Sequence, residues 1–237
     1  MYNLLKKKRI TGALEKIFNH LLLNVFYLKN QGLYYGKTGC LLFFAHFAKL
    51  YNDEVTDEVV SEIIDDIFAS VVNIQELGIP NGLCGIGWGV EYMIQNQLME
   101  GDTDDVLVNL DRVIYSKEIK TVASCPDFSD ILKYITVRLT SCCGESKNLP
   151  FPRDYLSELY QTAKKQADIQ DFAMGNEVNI LGEILEKGRF RRGPVSLTPE
   201  MTGQASIDKF PLVLLSLHNG ISGFGIKLII ENSNNLP

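Results

Sequence analysis

Tyr35-Gly36-Lys37-Thr38-Gly39, Asn81-Gly82-Leu83-Cys84-Gly85 and Asn219-Gly220-Ile221-Ser222-Gly223 share one pattern. Each carries a glycine, two residues and a second glycine, and an apolar run follows at once. Two weaker copies lie between the second and third, at residues 129–134 and 174–178. The first-glycine positions fall at 36, 82, 130, 175 and 220, in steps of 46, 48, 45 and 45 residues. A lone G-x-x-G carries little information. Near-constant spacing over five copies marks a repeat protein.

The intervening segments behave alike. Val55, Val59, Ile63, Ile67 and Val71 recur every four residues beside Val60, Ile64, Phe68 and Val72, and acidic residues fill the other face. This is the signature of an amphipathic surface helix. Val106, Leu107, Leu110, Val113 and Ile114 repeat it, as do Tyr155, Leu156, Leu159, Tyr160 and Ala163. The runs after the glycine marks, such as Cys40-Leu41-Leu42-Phe43-Phe44-Ala45, are apolar nearly all round and predict buried inner helices. The expectation is an all-α fold: an α/α toroid or curved array of about five helix-pair repeats with GxxG turns, one repeat domain over residues 1–237. Pro194 and Pro199 predict a short or missing outer helix in the fifth unit. Residues 211–217 are the only run that resembles a strand. The glycines are expected to supply unusual φ values and close backbone approach. Several inner helices starting at one end are expected to gather free N–H groups there, suited to a carboxylate or a developing negative charge.

Composition narrows the partners. With 23 Lys and Arg against 29 Asp and Glu, the net charge is −6. The basic clusters Lys6-Lys7-Lys8-Arg9 and Arg189, Arg191, Arg192 make no continuous field, which argues against nucleic acid. The longest apolar runs fall short of the ~18 residues a spanning helix needs, so no membrane partner is expected. No secretory signal pattern follows the early basic residues. Five scattered cysteines without a CxxC spacing read as reduced thiols of a cytoplasmic protein, and the adjacent Cys142 and Cys143 are poorly placed to bridge each other.

The segments GLYYGKTGCLLFFAHFAKLY (residues 32–51), NGLCGIGWGVEYMI (81–94) and NGISGFGIKLI (219–229) resemble the repeats of lanthionine synthetase C-like (LanC-like) proteins. The resemblance is best over residues 32–140 and 215–232. It implies an α/α toroid, seven helix pairs in the family against about five here. It implies thioether ring closure on a ribosomally made precursor peptide, with zinc held by two Cys and one His activating a Cys thiol. The family's W-C-Y-G motif meets Phe172-Ala173-Met174-Gly175, so its Cys slot holds Ala173. Its C-H-G motif meets His218-Asn219-Gly220, so the Cys slot holds His218 and the His slot holds Asn219. Its proton-handling H-G meets Asn81-Gly82. A carboxamide neither titrates nor ligates zinc well. On this reading no cofactor is expected; the catalytic residues stay unknown, with Asn81, Cys84, His218 and Asn219 as the candidates.

Other constellations are weighed on chemistry. Cys84 lies in a turn at a helix start, where a thiolate would be stabilised, although a small buried residue suits the place better. His218 could ligate a metal with Cys84 or Cys125, against the plainer role of a histidine bonded to a carbonyl. His46 and His20 read as part-buried, hydrogen-bonded histidines, and Cys40 as core. Asp65-Asp66 reads as a solvated helix face, and Asp102, Asp104 and Asp105 as an N-cap and first turn. Tyr34, Tyr35, Trp88 and Tyr92 are either core aromatics or a peptide pocket. A carbohydrate-processing ring would need inward carboxylates on different inner helices, with Glu91 and Glu177 as candidates. Two functions stay open: a peptide-modifying enzyme of thioether type, and a non-catalytic peptide-binding or scaffold relative.

Overall fold

The computed structural model describes residues 2–141, 149–170, 174–188, 193–203 and 214–233. Among them the fold is all-helical, without a strand. The order is α1 (Tyr2–Asn24), α2 (Lys37–Tyr51), α3 (Glu54–Ser70), α4 (Leu83–Gln95), α5 (Thr103–Val106), α6 (Val108–Tyr115), α7 (Ile119–Ala123), α8 (Phe128–Thr140), α9 (Arg153–Gln170), α10 (Gly175–Lys187), α11 (Pro199–Thr202) and α12 (Ile221–Asn232). None of the described helices is long and apolar enough to cross a membrane.

The chain divides into two compact units, residues 1–71 with 196–237, and residues 72–195. In the first, α12 packs against α1 and α2, and α3 covers α2. Its core holds Leu14, Ile17 and Leu21 of α1, Phe43 and Phe44 of α2, and Ile226 of α12, all without solvent contact. In the second, α4 packs on α8 and α6, α8 on α10, and α9 on α7 and α10. Leu110, Ile131, Leu132, Ile135, Leu159 and Leu181 fill its core.

Five helices begin near the expected marks: Lys37, Leu83, Phe128, Gly175 and Ile221, in steps of 46, 45, 47 and 46 residues. The three full G-x-x-G turns are nearly superimposable in conformation. Gly36, Gly82 and Gly220 are the N-caps, with φ, ψ of −124°, −168°, of −110°, −171° and of −113°, −177°. In each, the first helical N–H donates to the carbonyl seven residues back: Lys37 to Asn30, Leu83 to Glu76 and Ile221 to Leu214. The next N–H repeats this for Thr38 to Gln31 and Cys84 to Leu77.

Two expectations change here. The first-glycine φ values are negative and open to any residue, so conformational freedom is not what selects glycine. Space is. A Cβ on Gly36 would lie 2.5 Å from the Gly32 nitrogen, and one on Gly82 would lie 2.5 Å from the Glu76 oxygen. The second glycines are tighter: a Cβ on Gly39 would overlap the Leu33 carbonyl, and one on Gly223 the Leu217 carbonyl. Nor are the helix-start N–H groups gathered for an anion, because the loop that folds over each turn consumes them.

α3 is amphipathic, but its buried stripe is Thr56, Val60, Ile63 and Ile67, continued by Val71. Val55 and Val72 are exposed. A strict four-residue step overshoots the helical repeat by about 40° each time, which carries Val55 off the buried face. The outer segment before α8 is broken into α5, α6 and α7. The fifth outer helix is reduced to the four residues of α11, with Pro199 in its first turn, as the prolines predict.

Gly223→Ala should lower the stability of the protein by about 2–3 kcal/mol, because only backbone atoms surround the added methyl. Gly12→Ala on α1, where nothing lies within 4 Å, should raise it by ~0.5–1 kcal/mol. Urea unfolding midpoints of the two variants measure the contrast.

Candidate functional site

The α4 turn holds Asn81 and Cys84. Asn81 is half-buried, and Cys84 has no solvent contact. Burial, then the carboxylates of Asp130, Asp127 and Asp111, pushes the Cys84 thiol well above its ordinary 9.0. A group held as a thiol is no nucleophile at neutral pH. The helix-start location does not offset this, because the Cys84 N–H is bonded to Leu77. Cys40 is core, its Sγ donating to the Leu215 carbonyl at 3.3 Å. Burial raises its thiol to about 12.

His218 and Asn219 lie in the turn before α12. The His218 Nδ1 is 2.8 Å from the Glu200 carbonyl oxygen. A carbonyl only accepts, so Nδ1 donates in this contact and Nε2 is the other ring nitrogen. The imidazole stacks on Tyr34 with centroids 5.5 Å apart and meets the edge of Tyr35 at 5.8 Å. The His218 N–H donates to the Tyr34 carbonyl, which joins the turn before α12 to the turn before α2. Tyr34 and His218 are half-buried, and Tyr35 is exposed. These three form the aromatic face that the turns present. Asn219 has a φ of 57°, the left-handed region that asparagine tolerates, so its identity has a backbone explanation.

The strongest polar constellation is one that the sequence pattern passed over. Arg138 of α8 is fully buried, and its guanidinium ties four helices together. Nη2 and Nε donate to Oδ2 of Asp111 on α6 at 2.6 and 3.1 Å. Nη1 donates to Oε1 of Glu91 on α4 at 2.6 Å, and to Oδ1 of Asp104 and the Thr103 hydroxyl on α5 at 3.2 and 3.3 Å. The Tyr134 hydroxyl adds a 2.6 Å bond to Asp111 Oδ1, and a Cβ on Gly87 would lie 2.5 Å from that hydroxyl, so α4 makes room for the ring. Glu91 Oε2 accepts from Gln95 Nε2 and the Ser141 hydroxyl, both at 2.7 Å. Burial raises the Asp111 carboxyl above its ordinary 3.8, although Arg138 and Tyr134 pull it down.

This network corrects two expectations. Glu91 is not a catalytic carboxylate facing an open ring but is enclosed and saturated with donors. Asp104 follows the capping residue Asp102, whose side chain accepts from the Asp104 N–H, but it also serves Arg138. Asp66 is more than a solvated face, since it pairs with the buried Lys37 at the start of α2. The signal for Arg138 was an arginine in register with Ile131, Tyr134 and Ile135 on the buried face of α8.

Trp88 and Tyr92 stack in the interior, both buried, with centroids 5.5 Å apart. Glu177 is half-buried with Oε2 unpaired among the described residues. Cys125 contacts Asp127 at 3.8 Å. Cys84 and Cys125 belong to one unit and His218 to the other. Ala173, Cys142 and Cys143 lie outside the described residues. Among the described residues, no three His, Cys, Asp or Glu side chains group as for a metal ion. Comparison with family models, curated proteins and solved structures found no significant match to this chain.

Arg138→Met should cost about 3–5 kcal/mol, since Glu91 and Asp111 would be left as buried unpaired charges. Adding Glu91→Gln and Asp111→Asn should restore a good part of it, and denaturant unfolding reads both. A pH dependence should come from His46, whose imidazole burial and Lys49 push from 6.5 to about 4. The unfolded chain then binds a proton that the folded chain refuses. The stability contribution is complete above pH 6.5 and is lost as pH falls toward about 4. That loss should be about 3 kcal/mol once the pH is below both values, and absent in His46→Gln.

Proposed function

We propose that the chain is a divergent, shortened LanC-like protein of ribosomal peptide modification. On this reading it holds its peptide and lacks the family's zinc-dependent cyclase site. The recurrent helix starts support an α/α ring of about five units, and so does the packing of the first glycine-started helix, α2, on the last, α12.

The observation that carries the functional half is the chemistry at His218-Asn219-Gly220. A catalytic zinc takes three protein donors, usually thiolate, imidazole or carboxylate. The turn offers one imidazole nitrogen, Nε2, while the neighbouring position holds a carboxamide fixed in a left-handed turn. The remaining slot holds Ala173, a residue with no donor. This donor set does not fit the family's zinc. Tyr34, Tyr35 and His218 instead offer flat apolar surface with a hydroxyl or ring nitrogen at its edge. Such surfaces hold peptide side chains at small entropic cost.

The test uses the full chain. Elemental analysis should find substoichiometric zinc after purification in zinc-containing medium. A linear peptide carrying Cys and dehydroalanine should bind without being cyclised, and Tyr35→Ala should weaken that binding roughly five- to tenfold. Stoichiometric zinc together with thioether formation would restore the cyclase reading. No binding of such peptides would remove the peptide reading altogether.

A further inference from the structure

The end of α4 carries two adjacent carboxamides, Gln95 and Asn96. Both engage one residue, Val195, of the segment 193–198. Gln95 Oε1 accepts from the Val195 N–H at 2.9 Å, and Asn96 Nδ2 donates to the Val195 carbonyl at 2.9 Å. The two side chains therefore satisfy the whole hydrogen-bonding capacity of one backbone residue. Any extended peptide except one with proline at that position presents the same pair of groups.

The two carboxamides are aimed by bonds that do not involve Val195. Both Gln95 Nε2 hydrogens are used, on Glu91 Oε2 at 2.7 Å and on the Ser141 hydroxyl at 3.2 Å. This leaves Oε1 directed outward. One Asn96 Nδ2 hydrogen is held by the Tyr92 carbonyl at 2.9 Å, and the other is presented to Val195. Glu91 is itself locked by Arg138. Both carboxamides thus have bonds on α4 and Ser141 besides those to Val195, and side chains already held lose less entropy on binding.

Gly193, Pro194 and Ser196 are exposed, and among the described residues the only hydrogen bonds of residues 193–197 are the two at Val195.

We propose that Gln95 and Asn96 form a binding site for the backbone of an extended peptide. The chain's own Gly193-Pro194-Val195 segment fills it and competes with an incoming linear peptide. The self-contact stands on its own geometry, and only the nature of the incoming peptide rests on the peptide-binding reading above. The tethered segment acts at the high effective concentration of an intramolecular ligand, so an outside peptide must displace it.

The experiment uses isotope-labelled full chain and a synthetic peptide with the sequence of residues 193–198. Val195→Pro removes the tethered donor and leaves α4 untouched. In that variant the Gln95 and Asn96 side-chain amide resonances should shift saturably, at a peptide concentration at least about tenfold below that needed for the unsubstituted chain. The same peptide N-methylated at its valine should give no shift, and Asn96→Ala in the Val195→Pro background should weaken binding. Shifts absent from a folded Val195→Pro chain overturn the proposal. So do equal shifts from the N-methylated peptide. Binding of the 193–198 peptide without binding of the Cys and dehydroalanine peptide keeps this site and removes the peptide-modification reading. The reverse result removes this site alone.

Discussion

The fold depends on how a buried helix can begin. The first N–H groups of a helix have no partner within it, and a helix packed on most sides cannot leave them to water. In this chain the preceding loop folds back so that carbonyls seven residues upstream accept those N–H groups, at Lys37, Leu83 and Ile221 alike. The loop then runs so close to the helix start that a Cβ at Gly36, Gly82, Gly39 or Gly223 would meet backbone. The glycines of the turns are the consequence of that one requirement.

That is why so much of the architecture was legible. A local turn with a steric demand leaves glycine in the sequence, and its recurrence gives the period. The copy at α8 lacks both glycines and starts from Asp127 instead, yet the helix begins at Phe128, close to the marked position. Spacing carries the information there and the motif does not. The short α11 was legible for the same local reason, since Pro194 and Pro199 restrict the backbone around them.

The Arg138 network was not legible because nothing local creates it. Glu91, Asp104, Asp111 and Arg138 lie on four helices, and each alone has an ordinary explanation as a surface or capping charge. Only packing of α4, α5, α6 and α8 makes them one buried cluster. Lys37 and Asp66 are a smaller instance: a lysine at a helix start is poorly placed for the dipole, and the acidic residue of α3 offsets it. Buried pairs of this kind add little net stability but strongly disfavour arrangements that leave one partner alone. They therefore act on the choice of packing more than on its strength.

The same turn geometry constrains function. Helix starts that spend N–H groups on their own loops have fewer left for an anion, and burial, then the charges of Asp130, Asp127 and Asp111, favours the protonated form of the Cys84 thiol. Side chains are displayed around the turns and helix ends instead. The described residues provide two such displays, one in each unit: the aromatic face of Tyr34, Tyr35 and His218, and the paired carboxamides of Gln95 and Asn96. One presents rings and the other reads backbone. Among the described residues neither brings together three groups suited to a metal ion. Holding a peptide is the function we propose for these surfaces.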